Sequence, residues 1–279
     1  MTTKEFSNQL EFTNDGKLSF FFLGAGNAFQ KTYFQSNLLV VKGESHVLVD
    51  CGTLCPYILE KEYNAKLSKI KNLVLTHPHA DHIGGMEELA LSAYYISKHP
   101  VNIVIPKIFK KKLWNESLKG GIQYSENGKM TFNDYFSELP IKKIQTKPFE
   151  MFEANIGSIN LKLFRTRHIT TRATSFKDSQ LSYGIIFDDR ILFTGDTQYN
   201  PEQINFLLEH FPKIEHIFHD CDVSGYSVGV HASYEQLKLF PQEVRAKMSL
   251  YHYNKKMQEV SPEKDGFSGF VQRGVYYEF

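Results

Sequence analysis

Residues 76–82 read Thr76-His77-Pro78-His79-Ala80-Asp81-His82, so four side chains able to ligate a metal fall within six positions, directly after an apolar run. Pro78 biases His77 toward extended geometry. In an extended chain His77 and His79 project to the same side. A strand continuing onward would add Asp81 to that side. Gly84 and Gly85 imply instead that the chain turns, sending Asp81 and His82 elsewhere. Neutral imidazoles with a carboxylate suit zinc and its first-row neighbours. The bland alternative is a polar, His-rich loop, but ligand-type side chains at this density after a strand argue for a metal site.

Three distant residues join the candidate set. His168 follows the run 161–167, Asp196 lies in Thr194-Gly195-Asp196-Thr197 after the apolar 191–193, and His252 follows Ser249-Leu250-Tyr251. Each stands at the C-terminal end of an expected strand, where loops gather to make a site. Asp196, a carboxylate after a buried strand and a glycine, is suited to bridging two cations. His46, His99, His210 and His216 lie within elements or at their ends and receive no role.

The elements that must position these residues are read from apolar period and turn chemistry. Asn14-Asp15-Gly16 suggests a hairpin turn between strands at 10–13 and 18–23. A glycine-rich turn at 24–28 follows, then strands at 37–41 and 47–49 and a short helix at 56–63. A buried strand at 72–75 leads into the metal motif. Helices are expected at 86–97, 107–118 and 202–209, with a partly helical insert at 120–140. Further strands are expected at 101–105, 141–145, 159–165, 183–187, 191–193, 216–219, 248–251 and 275–279. Ser233 and Gln236 form a capping box that opens one more helix. No short repeat is visible. Strands in two sets, each mixed with helices, predict one domain over 1–279. It is an α/β (α+β) chain with two sheets face to face and helices outside, a four-layer αββα sandwich.

Composition bounds the function. The chain has 279 residues, 42% hydrophobic and 23% charged, which is ordinary for a globular protein and excludes extensive disorder. A net charge of +1 supplies no strong field toward nucleic acid or anionic lipid. The 23 Phe and 15 Tyr predict an aromatic core rather than a ring-lined pocket or interface. No run approaches the roughly 18 apolar residues of a membrane span. The opening MTTKEFSNQLEF lacks a signal-peptide pattern. A cytoplasmic location with reduced Cys51, Cys55 and Cys221 is therefore expected. The spacing of Cys51 and Cys55 matches no standard zinc or redox motif.

Together, the 77–82 segment, the Leu23-Gly24-Ala25-Gly26-Asn27-Ala28 turn, Val49-Asp50-Cys51-Gly52, Thr194-Gly195-Asp196-Thr197 and the late His252 resemble the metallo-β-lactamase superfamily over nearly the whole chain. The resemblance implies the αββα sandwich with a dinuclear site at the edge between its sheets. His77, His79 and His168 would hold one metal; Asp81, His82 and His252 would hold the other; Asp196 would bridge. Asp50 would orient a ligand histidine from behind. The implied cofactor is two Zn2+ per chain, although Mn2+ or Fe2+ suits the same ligands. True β-lactamases of this fold lack the bridging aspartate. Its presence fits phosphodiesterases, thioester hydrolases and lactonases.

His219-Asp220-Cys221-Asp222 and His231-Ala232-Ser233 resemble a His-Glu-Ala-Thr and His-Ser/Thr pair of ribonuclease Z, in which an acidic residue orients a histidine that assists phosphodiester cleavage. Asp220 takes the acid's place and His231 the histidine's; the alternative is that His231 merely precedes the N-cap Ser233. An alkoxide leaves a phosphodiester poorly, and a positioned imidazolium that protonates it contributes roughly 10²–10⁴-fold. A thiolate needs no such help. The expected catalytic residues are thus His231, Asp220 and Asp81, with Asp81 also a ligand. The expected nucleophile is a dinuclear-site hydroxide, from water whose pKa is lowered to about 7.

Ribonuclease Z clamps tRNA with an arm between its third histidine and bridging aspartate. Here the interval from His168 to Asp196 is already filled by two expected strands. Lys107, Lys110, Lys111 and Lys112 read as a solvated helix face, with Trp114 as packing. The segments 229–238 and 241–253 are similar to small phage and bacterial phosphodiesterases that cut cyclic nucleotides, including the anti-Pycsar type, which acts on cyclic CMP and cyclic UMP. That branch implies a homodimer without the arm. The expected substrate is a small phosphodiester, namely a cyclic mononucleotide such as cCMP, cUMP, cAMP or cGMP. No membrane partner is expected, and a large RNA is disfavoured. The runners-up are a ribonuclease Z-like tRNA 3′-end endoribonuclease and a thioester or lactone hydrolase. Segments 120–140 and 266–274 are the candidates to cover the pocket or meet a partner chain.

Overall fold

Two eight-stranded sheets pack face to face, with phenylalanine filling the space between them. In the computed structural model, which describes residues 1–172, 174–225 and 229–279, Phe20 meets Phe187 and Phe218 with ring centroids 5.2 and 5.4 Å apart. Phe22 meets Phe218 and Tyr251 in the same way. The strand Ser19–Gly24 is buried along its whole length. Its second face is covered as well, Phe21 packing on Tyr63 just beyond the helix Cys55–Lys61. A strand buried on both faces reads as a continuous apolar run, as this one does.

Both sheets follow one scheme. In the first, the order is Thr2–Glu5, Val275–Glu278, Ser19–Gly24, Asn37–Lys42, Ser45–Val49, Asn72–Val74, Val101–Val104, Phe136–Glu138. Pairing is antiparallel up to Ser45–Val49 and parallel from there on. In the second, the order is Lys142–Gln145, Met151–Ile156, Ile159–Arg165, Tyr183–Phe187, Ile191–Phe193, His216–Asp220, Met248–Tyr251, Gly269–Phe270. It turns parallel after Ile191–Phe193. Loops leaving the C-terminal ends of parallel strands collect at one edge, the usual place for a site in such sheets.

The expected four-layer α/β sandwich is the fold observed. Several elements differ from expectation. No strand forms at 10–13. The Asn14 amide and side chain instead bind Gly43, and both edges of Ser19–Gly24 are occupied by other strands. The helix expected at 86–97 is α-helical over Met86–Ser92 and widens into a π turn at Ala93–Ser97. The same happens after Lys107–Lys112. Segments 120–140 and 266–274 each provide a sheet edge, Phe136–Glu138 and Gly269–Phe270. Trp114 packs against Phe132, and Lys110 and Lys112 pair with Glu138 and Glu116 on an exposed face. All three cysteines are buried and unbridged. Among the described residues, no helix is long and apolar enough to cross a membrane.

Two histidines far from the metal motif are packed into this framework. His46 accepts a hydrogen bond from the Lys71 backbone, and His216 pairs with the Ser249 hydroxyl. Burial pushes each imidazole down to about 4. The unfolded chain takes up these protons near the ordinary value of about 6.5, before the native state does. Their contribution to stability is thus intact above pH 6.5 and is lost as pH falls toward 4. Urea midpoints measured from pH 7.5 to 4 should fall, and His46→Gln or His216→Asn should flatten that slope.

Candidate active site

The strand Asn72–Val74 ends just before Thr76, and the chain after it makes the local turn that the glycines foretold. His79 is extended at the N-cap position of the short helix Ala80–Ile83, and this helix swings Asp81 and His82 away from the first pair. His77 Nε2 and His79 Nδ1 stand 2.9 Å apart, and His168 Nε2 lies 3.3 Å from His79 Nδ1. Asp196 Oδ2 completes that group, 3.6 Å from His77 Nε2 and 4.0 Å from His168 Nε2. The same oxygen belongs to a second group, 3.4 Å from His82 Nε2 and 3.3 Å from His252 Nε2. Asp81 Oδ2 closes it, at 3.2 Å from His82 and 3.6 Å from His252. Ligands about 2.1 Å from a tetrahedral cation stand roughly 3.4 Å from one another. Both groups have that spacing.

The chemistry of the unpaired atoms points the same way. His82 Nε2, His252 Nε2 and Asp196 Oδ1 are buried without a well-aligned hydrogen-bond partner. Polar atoms left so in a core are costly unless something binds them. Burial opposes ionisation of Asp196, but His252, His82 and His77 more than offset it and hold the carboxyl well below the usual range. Burial likewise opposes charge on His82. Asp196, Asp81 and Asp50 outweigh it and raise the imidazole well above the ordinary histidine value. Protons and a divalent cation thus compete for one place, and these donors form a divalent-metal site.

Behind the donors, His77, His82 and His168 are held through their other nitrogens. His82 Nδ1 donates to Asp50 Oδ2 at 2.7 Å. Asp50 also accepts from the Thr76 amide and hydroxyl, each at 2.7 Å. The Thr76 hydroxyl in turn accepts from His77 Nδ1 at 3.0 Å. His168 Nδ1 donates to the Val230 carbonyl at 2.9 Å. Asp50 reaches back to Thr76 from a left-handed backbone with φ 65°, a region aspartate tolerates better than most residues. Gly52 lies so close to this turn that a Cβ there would meet the Asp81 carbonyl at 1.9 Å.

Asp220 lies beside the second donor group and joins it to His231. Its Oδ2 accepts from His231 Nδ1 at 2.7 Å and from the Thr197 amide at 2.9 Å. Its Oδ1 is 3.4 Å from His252 Nδ1. Burial favours the neutral His231 imidazole, but Asp220 outweighs it, helped by Asp196 and Asp222, and pushes the value up to about 9. The His231 ring stacks on His252 at 4.6 Å and its side chain is 20% exposed, so one edge faces the opening. Asp196, Asp220, His231 and His252 also form a close group of their own.

The structure therefore brings together the nine residues expected from the sequence as ligands or catalytic groups: His77, His79, Asp81, His82, His168, Asp196, Asp220, His231 and His252. Sequence reasoning missed Thr76, the Val230 carbonyl and the reach of Asp220 to His252. Thr76 adjoins the motif, and its hydroxyl was a readable signal. A backbone carbonyl carries none.

Two such sheets, with His and Asp donors gathered where parallel strands end, define a metallo-β-lactamase-fold, metal-dependent hydrolase. The profile of the family described as "Anti-Pycsar protein Apyc1" matches residues 18–277, and the chain belongs to that family. A protein of that name from Bacillus phage BSP38 is 30% identical, over 91% of this chain and 96% of its own length. Another, from Paenibacillus xerothermodurans, is 28% identical over 92% and 96%. Among solved structures, the Bacillus subtilis metallo-beta-lactamase fold protein YhfI superposes with a TM-score of 0.66 at 17% identity, covering 94% of this chain and all of its own. Yeast PDE1 gives 0.61 at 15% identity, over 95% and 100%. The short form of human tRNase Z gives 0.60 at 16%, over 93% and 98%. At these identities the structures show the shared fold.

Thr76 ties Asp50 to two histidines of the donor cluster, and loss of a partner behind a metal ligand typically costs 10–100-fold in metal affinity. Thr76→Val keeps the side chain's shape and removes its hydroxyl. It should weaken divalent-metal binding about 10–100-fold, measured by competition against a chromogenic chelator.

Proposed function

We propose that the protein is a phosphodiesterase that hydrolyses cyclic mononucleotides, acting as one cytoplasmic domain over 1–279 and as a homodimer. The observation that carries this reading is the Asp220–His231 pair, 2.7 Å apart and adjoining the donor cluster. The name shared by its relatives, anti-Pycsar, supports a role against a defence built on cyclic nucleotides.

His77, His79 and His168 would hold one zinc ion, Asp81, His82 and His252 the other, with Asp196 shared between them. Bound there, divalent cations neutralise phosphoryl oxygens and acidify water at neutral pH. The protein's own groups do the rest. Asp50 and Thr76 keep His77 and His82 turned toward the donors. Asp81 belongs to the second donor group, where its other carboxylate oxygen can orient the attacking water. Asp220 fixes His231 through Nδ1, which leaves Nε2 to give a proton to the departing ribose oxygen. A thioester hydrolase would make no use of such an acid, because a thiolate leaves unprotonated.

Metal-loaded protein should turn over cyclic mononucleotides and leave precursor tRNA and a thioester uncut; absence of turnover on every cyclic nucleotide refutes the reading. His231→Ala should lower kcat on a cyclic nucleotide by about 10²–10⁴-fold. It should do far less to bis-p-nitrophenyl phosphate, whose leaving group needs no proton. Asp220→Asn should lose metal affinity as well as rate, because Asp220 also faces His252; metal content after dialysis separates the two variants.

A further inference from the structure

The loop after Ser19–Gly24 is fastened both to the turn that carries His252 and to the segment that carries Asp81. On one flank the Ala25 carbonyl accepts from the His252 amide at 2.7 Å, and the Asn27 amide donates to the Tyr253 carbonyl at 3.0 Å. On the other, Gln35 accepts from the Leu54 amide and Asn37 Nδ2 donates to the Asp81 carbonyl. Within the loop, Gln35 Nε2 donates to the Ala28 carbonyl and Ser36 Oγ to the Gly26 carbonyl. Its aromatic side chains are otherwise packed. Tyr33 meets Tyr253 edge-on, and Phe34 lies beneath the Arg273 guanidinium. Phe29 is the exception, 88% exposed on a backbone that its neighbours hold in place. Four Cα–Cα steps separate it from Ala25, which limits their Cα distance to about 14 Å.

We propose that Phe29 is the platform on which the base of the substrate stacks while the phosphodiester sits at the donor cluster, an assignment that rests on the cyclic-nucleotide reading above. A phenyl ring left in water forgoes the gain of burial. A planar base recovers it, and every base has a π-face, so the contact tolerates pyrimidines and purines alike. Phe29 then contributes affinity and orientation, while discrimination among bases lies with other groups.

The test is steady-state kinetics on cyclic CMP and cyclic AMP for the metal-loaded wild type, Phe29→Ala, Phe29→Trp and a control, Ile96→Ala. Ile96 is also exposed, at 69%, but precedes Val101–Val104 at the opposite end of the sheet. Phe29→Ala should raise KM roughly five- to one-hundred-fold on both substrates, with kcat within about threefold. Phe29→Trp should restore KM, and its fluorescence should quench when a cyclic nucleotide is added to metal-depleted protein. Ile96→Ala should match the wild type. A Phe29→Ala enzyme with wild-type KM overturns the assignment. So does a variant whose only change is a shift in sedimentation, which would place Phe29 between two copies of the chain. A wild type inert on cyclic nucleotides removes the functional reading itself, whereas an active wild type with an unmoved KM in Phe29→Ala removes only the stacking role.

Discussion

The Asp196 carboxylate is 1% exposed, and an isolated charge at such depth is prohibitively costly. What keeps it ionised is a shell of imidazoles, with His252, His82 and His77 all within 3.6 Å. Those imidazoles arrive on different sheets: His77 and His82 follow a strand of the first, His252 a strand of the second. Sheet packing and charge compensation are therefore a single constraint. The Tyr183 amide donates to the Thr76 carbonyl across the seam, and the His252 amide to Ala25, so backbone bonds lock the relative height of the sheets where the donors meet. Gly195, next to Asp196, allows the approach; a Cβ there would come within 2.5 Å of the Tyr183 carbonyl.

What was legible in the sequence was local or lay at the end of an apolar run. His77, His79, Asp81 and His82 are near neighbours, so extended geometry and a following turn were enough to divide them into two pairs. His168, Asp196 and His252 each follow a buried strand. The division into two metal groups with a bridge came from family resemblance. The spacing that supports it, near that of a tetrahedral ligand shell, appears only in three dimensions. Asp220 was read as the partner of His231, but its second oxygen, turned to His252, depends on how Met248–Tyr251 pairs beside His216–Asp220.

The fold's misreadings have the same origin. Met151–Ile156 was missed because its burial is irregular and its sequence interleaves Glu153 and Asn155 among apolar residues. Thr2–Glu5 is exposed throughout and polar, so nothing but its partner strand marks it. Residues 10–13 misled in the opposite direction. Leu10 is buried, yet its backbone bonds to Tyr63 rather than to a neighbouring strand. Apolar content reported burial correctly; it did not report what the backbone paired with.

The strand Val275–Glu278 lies between Thr2–Glu5 and Ser19–Gly24, two strands that precede it by about 250 residues or more. While the ribosome is still at work, Ser19–Gly24 has an unpaired edge and Phe21 lacks the Tyr276 ring that packs on it. Half of the sandwich must wait, incomplete, for the other half to be translated. Pairing over so long a sequence separation is slow to find. Until Val275–Glu278 is made, the chain carries a bare, phenylalanine-rich edge, the kind of surface that exposes folding intermediates to aggregation.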